Sequence, residues 1–139
     1  MSDQIISKKA PEPVGSYPHA KRVGDFLFLS GVGPRKRGTK EIPGITFDGD
    51  RNILDYDAAE QTHSVIENVK TVLEDSGLGL ENLVDVQCFL TNMKKDFQAF
   101  NNVYGEYFSV ETGPARTTVE VGALPTPIAV EIKAIASFK

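Results

Sequence analysis

The sequence predicts a single α+β domain in which one sheet packs two helices on one of its faces. Two helical patterns and five strand-like segments follow each other in the order β-β-α-β-α-β-β. A chain of 139 residues suits one domain spanning residues 1–139, and it is long enough to bury a core. Two helices cover only one face of a sheet, so the partly apolar opposite face predicts an oligomer.

The N-terminal part of the chain predicts an arm, a hairpin and a loop. Residues 1–18 contain three prolines and are expected to be extended. Residues 20–23 and 26–30 flank Gly24-Asp25, which is the pattern of a β-hairpin. Residues 31–57 are rich in glycine, proline and charge and predict a long loop, which is often a functional feature.

Two amphipathic helices are expected further along the chain. Asp57 is a good N-cap with Glu60 three residues on, and Gly77 is a natural end for the helix that follows. Asp96 is expected to cap the second helix. Its aromatic residues share one face and are expected in the core: Phe97, Phe100, Tyr104 and Phe108. Between the helices a strand is expected, with these residues on its apolar side: Val84, Val86, Cys88 and Leu90.

The two C-terminal strands carry charges among apolar and β-branched neighbours. A hairpin closed symmetrically around residues 122–127 places Thr118 opposite Glu131 and Arg116 opposite Lys133. This register is an assumption, and a slip of one residue would move Glu131 to the other face. An unpaired charge on such a strand is costly, so Arg116 needs a partner. Either a salt bridge to Glu131 between subunits or a bound small carboxylic acid would provide one.

Composition narrows the classes of function. The formal net charge of −4, with a local basic cluster only at residues 35–37, argues against a nucleic-acid partner. The sequence lacks a signal segment and any apolar run of about 18 residues, so no membrane span and a cytoplasmic location are expected. The single cysteine, Cys88, is expected to be a buried inert thiol, and His63 a surface residue. With His19 they show no ligand spacing, so neither a metal nor another cofactor is expected.

The chain resembles the RidA (YjgF) family from roughly residue 11 to residue 136. The motifs that carry the resemblance are Gly113-Pro114-Ala115-Arg116, Val119-Glu120-Val121, Leu124-Pro125, Val130-Glu131-Ile132, Gly15-Ser16-Tyr17, Ser30-Gly31 and Asn68-Val69-Lys70. The resemblance implies a chorismate-mutase-like α+β fold and a homotrimer whose sheets form a barrel. Trimer and hexamer stay open as alternatives. It also implies sites in the clefts between subunits, and cofactor-free hydrolysis of reactive imines or enamines to ketones plus ammonia.

The resemblance also implies a role for individual residues. Arg116 matches the arginine that holds the substrate carboxylate, and Glu131 matches the acid that orients water for attack on the C=N carbon. The pocket-lining positions of the family match Tyr17, Ser30 and Asn101. Thr118 stands where many members have a cysteine, which suggests a variant substrate preference.

Some motifs are similar to those of one subgroup, the deaminases of 2-aminomuconate. They are Tyr17-Pro18-His19-Ala20, the loop at residues 35–55, Thr117-Thr118 and Leu124-Pro125-Thr126-Pro127. The similarity implies a dicarboxylic enamine substrate converted to 2-oxohex-3-enedioate plus ammonia. A second carboxylate needs a second positive or donor group. The candidates are His19 and the basic cluster Arg35-Lys36-Arg37, of which His19 and Arg35 are favoured. A general deaminase of 2-iminobutanoate or 2-iminopropanoate and a non-catalytic binding module remain alternatives.

Overall fold

The computed structural model describes residues 3–39, 41–50 and 52–139. Its strands and helices are β1 Gln4–Ile5, β2 Ala20–Val23, β3 Phe26–Leu29, β4 Ile45–Phe47, β5 Ile53–Tyr56, α1 Ala58–Asp75, β6 Leu83–Leu90, α2 Met93–Tyr107, β7 Ala115–Glu120 and β8 Val130–Ser137. Six strands form one sheet in the order β1-β2-β3-β8-β6-β7, while β4 and β5 form a separate pair. The sheet is mixed, because β7 runs parallel to β6 and β8 antiparallel to it. The predicted α+β fold, with two helices on a sheet, is confirmed.

Helix α1 begins and ends at the predicted signals. The Asp57 carboxylate accepts a hydrogen bond from the Glu60 N–H at 3.1 Å, which satisfies one free donor of the first turn. Gly77 follows the last turn with φ of 80°, a conformation that glycine adopts without strain. Helix α2 differs from the prediction, since Asn92 is its N-cap and accepts from the Lys95 N–H at 3.1 Å. The prediction of Asp96 as the cap is therefore wrong.

The core lies between the six-stranded sheet and the two helices. Its buried residues include Leu27, Leu29, Val65, Ile66, Val69, Leu73, Val86, Cys88, Leu90, Phe100 and Ile132. Two expected core residues are exposed, while Tyr104 and Phe108 are partly buried against the core. Val84 is 43% exposed because the register of β6 against β8 shifts between Leu83 and Asp85. Phe97 is 37% exposed because it lies at the margin of the α2 face, beside β7.

Strands β7 and β8 are not neighbours, so the predicted hairpin is wrong. Strand β6 lies between them, and its Cys88 pairs with Thr118 on one side and with Ile132 on the other. The reason is that β7 follows β6 through the helical crossover α2, which brings it to the free edge of β6 in parallel. Arg116 and Thr118 consequently face the helices.

Glu131 lies on the opposite face of the sheet from Arg116. Its position on β8 pairs with Phe89, on the face that the helices leave open. Lys133 shares this parity, and its Nζ donates to the Leu29 carbonyl at 2.9 Å. The predicted grouping of Arg116 and Lys133 on one face is therefore wrong as well.

The open face of the sheet is partly apolar, as predicted. Phe26, Phe28 and Val119 are 45%, 39% and 40% exposed. Ile135 pairs with Phe28 and lies in the same layer. These side chains form a surface of the kind that usually contacts another protein.

The segment predicted as a long loop contains the β4–β5 hairpin. Tyr56, at the end of β5, donates its hydroxyl to Asp96 Oδ2 at 2.6 Å. Lys95 Nζ lies 3.4 Å from Asp55 Oδ1 and 4.0 Å from the centroid of the Tyr56 ring. These contacts attach the hairpin to the first turn of α2. The length of this segment was predicted, but its strands were not.

Replacing Tyr56 with phenylalanine is expected to lower the free energy of unfolding by about 1–3 kcal/mol, because a nearly buried carboxylate loses a hydrogen-bond donor. Burial raises the pKa of Asp96, and the hydrogen bond from Tyr56 opposes that increase. An acid whose pKa is raised in the folded state makes the folded protein less stable as the pH rises through that pKa, because the ionised form is disfavoured there. Because the Tyr56 hydrogen bond favours the ionised form of Asp96, the effect of Tyr56→Phe should be largest above this raised pKa and should shrink as the pH falls through it.

Urea unfolding across this pH range provides the measurement. Tyr107→Phe is the matched control, since its exposed hydroxyl donates to Glu67 at 3.2 Å and should contribute less than about 0.5 kcal/mol. Equal losses for the two variants, or a loss independent of pH, would contradict this role for Asp96.

Candidate functional site

Arg116 lies on edge strand β7 and extends toward helix α2. Its guanidinium carbon is 4.6 Å from the ring centroid of Tyr104, 5.5 Å from that of Phe100 and 6.0 Å from that of Phe97. Within the part of the chain that the structure describes, the guanidinium has neither an ion pair nor a hydrogen bond. Its donors are therefore available to an acceptor from outside the protomer.

The polar groups around Arg116 are neutral. The hydroxyls of Thr118 and Tyr104 are buried and have no hydrogen-bond partner among the described residues. Burial raises the pKa of Tyr104 to about 12 and that of the Cys88 thiol to about 12. Asn101 lies on the same side of α2, three residues before Tyr104, and is exposed. We call Arg116, Thr118, Asn101 and Tyr104 the arginine half-site.

Glu131 occupies a small cleft on the open face of the sheet. Tyr17, Gly31, Arg35 and Thr126 are among the residues that line this cleft. Glu131 is half-buried, and this burial raises its pKa. A Cβ atom at Gly31 would lie 3.0 Å from Glu131 Oε2, so the glycine leaves room for the carboxylate. An acid of raised pKa in a cleft is suited to proton transfer.

Tyr17 and Ser30 lie beside the Glu131 cleft. Tyr17 is 42% exposed, and its hydroxyl accepts from the Val14 N–H at 3.2 Å. Ser30 donates its hydroxyl to the Pro18 carbonyl at 2.7 Å and lines an adjoining pocket with Tyr17. We call Glu131, Tyr17, Gly31 and Arg35 the glutamate half-site.

The two candidates for a second carboxylate differ in availability. His19 is buried, its Nδ1 accepts from the Ser7 N–H at 3.0 Å, and its Nε2 lies 2.8 Å from the Pro11 carbonyl, to which it donates. Both ring nitrogens thus hold the N-terminal arm. Arg35 donates from Nη2 to the Glu12 carbonyl at 2.6 Å, and it retains further N–H groups where it lines the Glu131 cleft.

The structure brings the predicted site residues together in two groups rather than in one. Arg116, Thr118 and Asn101 lie on the helix side, whereas Glu131, Tyr17 and Arg35 lie on the open side. Arg116 and Glu131 stand on strands separated by β6, roughly 10 Å apart by the usual strand spacing, and face opposite ways. Within one protomer, Arg116 and Glu131 therefore do not form a single site.

Two contributors escaped the sequence reasoning. Tyr104 was assigned to the core, because aromatic residues at helical spacing usually pack there. Asn68 donates to the carbonyls of Gly33 and Arg35 at 2.9 and 3.0 Å and so holds the loop that borders the Glu131 cleft and its adjoining pocket. The sequence signal for Asn68 was an amide side chain on the sheet-facing side of a helix that follows a glycine-rich loop. Arg37, a member of the predicted basic cluster, donates to the Ser7 and Ala10 carbonyls and secures the N-terminal arm.

No group of three His, Cys, Asp or Glu side chains suited to a metal ion occurs in residues 3–39, 41–50 and 52–139. In the same residues, no helix combines the length and apolar character needed to cross a membrane. Cys88 is buried and His63 is exposed, both as predicted. His63 Nδ1 lies 3.1 Å from the Tyr107 hydroxyl.

The fold and the site define a class of small α+β proteins of the chorismate-mutase-like type. In this chain, the edge of a mixed sheet presents an arginine suited to a carboxylate, and the open face presents a half-buried acid.

Comparisons with known proteins identify the family. The family model described as endoribonuclease L-PSP matches residues 7–138. A RutC family protein of Saccharolobus solfataricus is 43% identical over 136 residues, which cover 98% of each chain. The crystal structure of the Escherichia coli YjgF gene product superposes with a TM-score of 0.83 at 30% identity, covering 99% of this chain and 100% of that one. Escherichia coli TdcF with bound serine gives 0.80 at 30% identity, covering 96% and 97%.

The chain belongs to the endoribonuclease L-PSP family, the RidA (YjgF) family that its motifs resemble. Membership supports a function at the level of the family, which is imine or enamine deamination or an endoribonuclease L-PSP-like activity. It does not extend to 2-aminomuconate as the particular substrate.

Proposed function

We propose that the protein hydrolyses an imine or enamine that carries a carboxylate, releasing a ketone and ammonia. The observation that carries this proposal is Arg116, a guanidinium held against aromatic rings with no acidic partner among the described residues. A planar guanidinium matches a carboxylate through two parallel hydrogen bonds. The bound serine of Escherichia coli TdcF, a relative of the same fold, agrees with a small amino-acid-like ligand.

Glu131 is the proposed acid and base. Its raised pKa allows one carboxyl group to take a proton from water and to return it to the leaving nitrogen. Water adds to the C=N carbon, the C–N bond of the resulting carbinolamine breaks, and the nitrogen leaves as ammonia while the ketone remains. An enamine must first gain a proton at carbon to become the iminium.

The complete site requires two subunits in this proposal. Arg116 and Glu131 face opposite ways in one protomer, and the open face carries exposed apolar side chains that a partner would cover. The family resemblance implies a homotrimer with sites in the clefts between subunits. We therefore propose that Arg116 of one subunit works with Glu131 of the partner subunit.

The proposed substrate within this class is the dicarboxylate 2-aminomuconate, which would yield 2-oxohex-3-enedioate. Arg35 supports it, since this second guanidinium belongs to the glutamate half-site, whereas Arg116 lies on the other face of the sheet. The broader alternative is a deaminase of 2-iminobutanoate and 2-iminopropanoate, which carry one carboxylate and need no second clamp.

One assay tests the function directly. 2-Aminomuconate and 2-iminobutanoate are generated enzymatically in separate reactions, and their loss and the release of ammonia are followed with and without the protein. Acceleration of either reaction supports the deaminase. If neither is accelerated while the protein remains folded and binds a small carboxylate, the non-catalytic alternative holds. Single-stranded RNA serves as a third substrate, although the net charge of −4 disfavours binding to a polyanion.

Replacing Arg35 with alanine is expected to raise KM for 2-aminomuconate roughly tenfold, because a charge-assisted hydrogen bond contributes about 1.5–3 kcal/mol. KM for 2-iminobutanoate should change much less, since that substrate has no second carboxylate. Lys36→Ala is the matched control, as the neighbouring cation is exposed and pairs with Glu41 at 3.7 Å. The same KM for 2-aminomuconate in wild type and Arg35→Ala would rule out Arg35 as the second clamp.

A further inference from the structure

We propose that Tyr104 is a positioning residue whose ring, together with those of Phe100 and Phe97, holds the Arg116 guanidinium in place of an acidic partner. These rings form an aromatic cradle that leaves the N–H donors of Arg116 free for the substrate carboxylate. The kinetic consequence rests on the proposed function, whereas the cradle itself does not.

The distances support attraction between the cation and the rings. A guanidinium within about 6 Å of a ring centroid is attracted by the negative face of the ring. Tyr104 is the nearest of the three at 4.6 Å, and Phe100 and Phe97 follow at 5.5 and 6.0 Å. The attraction acts through the ring faces and consumes none of the five N–H donors of the guanidinium. An acidic partner would occupy the two donors that a substrate carboxylate needs for bidentate pairing.

No described anion competes with the rings. Cys88 and Tyr104 are both neutral near pH 7, because burial raises the pKa of each to about 12. Glu120 is the acid that shares the parity of Arg116 on β7, but its Oε1 accepts from the Met93 N–H at 2.8 Å. It therefore satisfies the start of α2 instead of pairing with Arg116.

Helix α2 holds the cradle in a fixed position. Residues 97, 100 and 104 are spaced by three and four, so their rings lie in a row along one side of the helix. The start of the helix is attached to β7 through Glu120 and to β5 through the bond between Tyr56 and Asp96. The partial exposure of Phe97 follows from this arrangement, since it is the outermost ring of the row.

The Tyr104 hydroxyl allows a test of whether the ring face or the polar group acts on Arg116. This hydroxyl is buried and without a partner among the described residues, so it gives no hydrogen bond to Arg116. If the ring acts through its face, phenylalanine should replace tyrosine and leucine should not. Tyr104→Leu keeps an apolar side chain and removes the aromatic face.

Steady-state kinetics on the substrate that the wild-type protein turns over provides the first readout. Tyr104→Leu should raise KM about 3- to 30-fold with kcat nearly unchanged, which is the effect of a cation–π contact of about 0.5–2 kcal/mol on ground-state binding. Tyr104→Phe should recover most of the wild-type KM. Tyr107→Leu is the matched control on the same helix, because its ring contacts His63 rather than Arg116. A loss confined to kcat or to the folded fraction would overturn the proposal.

The second readout needs no activity. The Nε–Hε resonance of Arg116, assigned by its disappearance in Arg116→Lys, should be displaced by ring currents in the wild type and in Tyr104→Phe. It should move toward the free-arginine position in Tyr104→Leu and stay in place in Tyr107→Leu. An undisplaced wild-type resonance would overturn the cradle, whereas an inactive protein with a displaced resonance would overturn only the deaminase function.

Discussion

Replacing Arg116 with alanine is expected to lower kcat/KM for the imine or enamine substrate roughly 10²- to 10⁴-fold. The side chain is the group on the helix side of β7 that can pair with a carboxylate, and no described neighbour would take its place. Losing one partner of a buried, hydrogen-bonded charge pair costs about 3–5 kcal/mol, and each 1.4 kcal/mol corresponds to a factor of ten. Steady-state rates with both candidate substrates give the measurement.

Two further variants separate charge from geometry. Arg116→Lys keeps the positive charge and loses the two-pronged fit, so it should remain at least about tenfold impaired. Arg22→Ala is the matched control, because its guanidinium also lies over an aromatic ring, 3.8 Å from the centroid of Phe138, but outside both half-sites. Activity of Arg116→Ala close to that of Arg22→Ala would mean that the arginine does not bind the substrate.

The stability of the Arg116 variant distinguishes a binding role from a structural one. Arg116 forms no ion pair among the described residues, so only its contacts with the three rings are lost. We expect its removal to change the free energy of unfolding by about 1 kcal/mol or less. A large loss of activity with a small loss of stability is typical of a functional residue.

The parts of the fold that depend on local signals were predictable. Asp57 and Gly77 act on their own helix, through a side chain that satisfies free N–H groups and a backbone that adopts positive φ. The hairpin around Gly24 is equally local, since Val23 and Phe26 pair directly across the turn. Such signals need no knowledge of distant residues.

The pairing of the C-terminal strands depends on long-range contacts and was not predictable in this way. Parity along each strand was read correctly, because Arg116 and Thr118 share one face of β7 and Glu131 and Lys133 share one face of β8. Parity does not tell which strand is the neighbour. Strand β6 lies between the two, and this places Arg116 and Glu131 on opposite faces.

The chemistry of the site was predictable from residue type, but its supporting contacts were not. A guanidinium and a carboxyl group on half-buried strands stand out in a sequence. Tyr104 does not, since an aromatic residue in a cradle has the same spacing as one in a core. His19 is the converse case, because both of its nitrogens bind the backbone of the N-terminal arm, which no local pattern reveals.

Replacing Glu131 with glutamine is expected to lower kcat roughly 10²- to 10⁴-fold while KM changes little, because the amide cannot transfer a proton. Burial raises the pKa of Glu131 above its ordinary value of 4.5. The carboxylate must be ionised to accept a proton from water, so wild-type kcat should fall as the pH drops through this raised pKa. The same limb should be absent from the residual activity of Glu131→Gln.

The contribution of Glu131 to folding stability should depend on pH in the direction opposite to kcat. An acid whose pKa is raised in the folded state favours folding most below its unfolded pKa, and it loses this contribution as the pH rises through the folded pKa. Above that range the ionised Glu131 is a cost, which glutamine removes. Glu131→Gln should therefore unfold at an equal or higher temperature than the wild type at neutral pH, and a marked destabilisation would point to a structural role.

Mixing the two inactive variants tests whether Arg116 and Glu131 of different subunits share a site. In a ring of subunits formed from equal amounts of Arg116→Ala and Glu131→Gln chains, roughly a quarter of the interfaces join an intact Arg116 to an intact Glu131. Co-refolded mixtures should then recover roughly a quarter of wild-type activity, although each variant alone is inactive. A site contained within one chain would recover none, because every chain in the mixture lacks one of the two residues. The two half-sites face opposite ways in the protomer. The recovered fraction of activity thus shows whether they combine across a subunit interface.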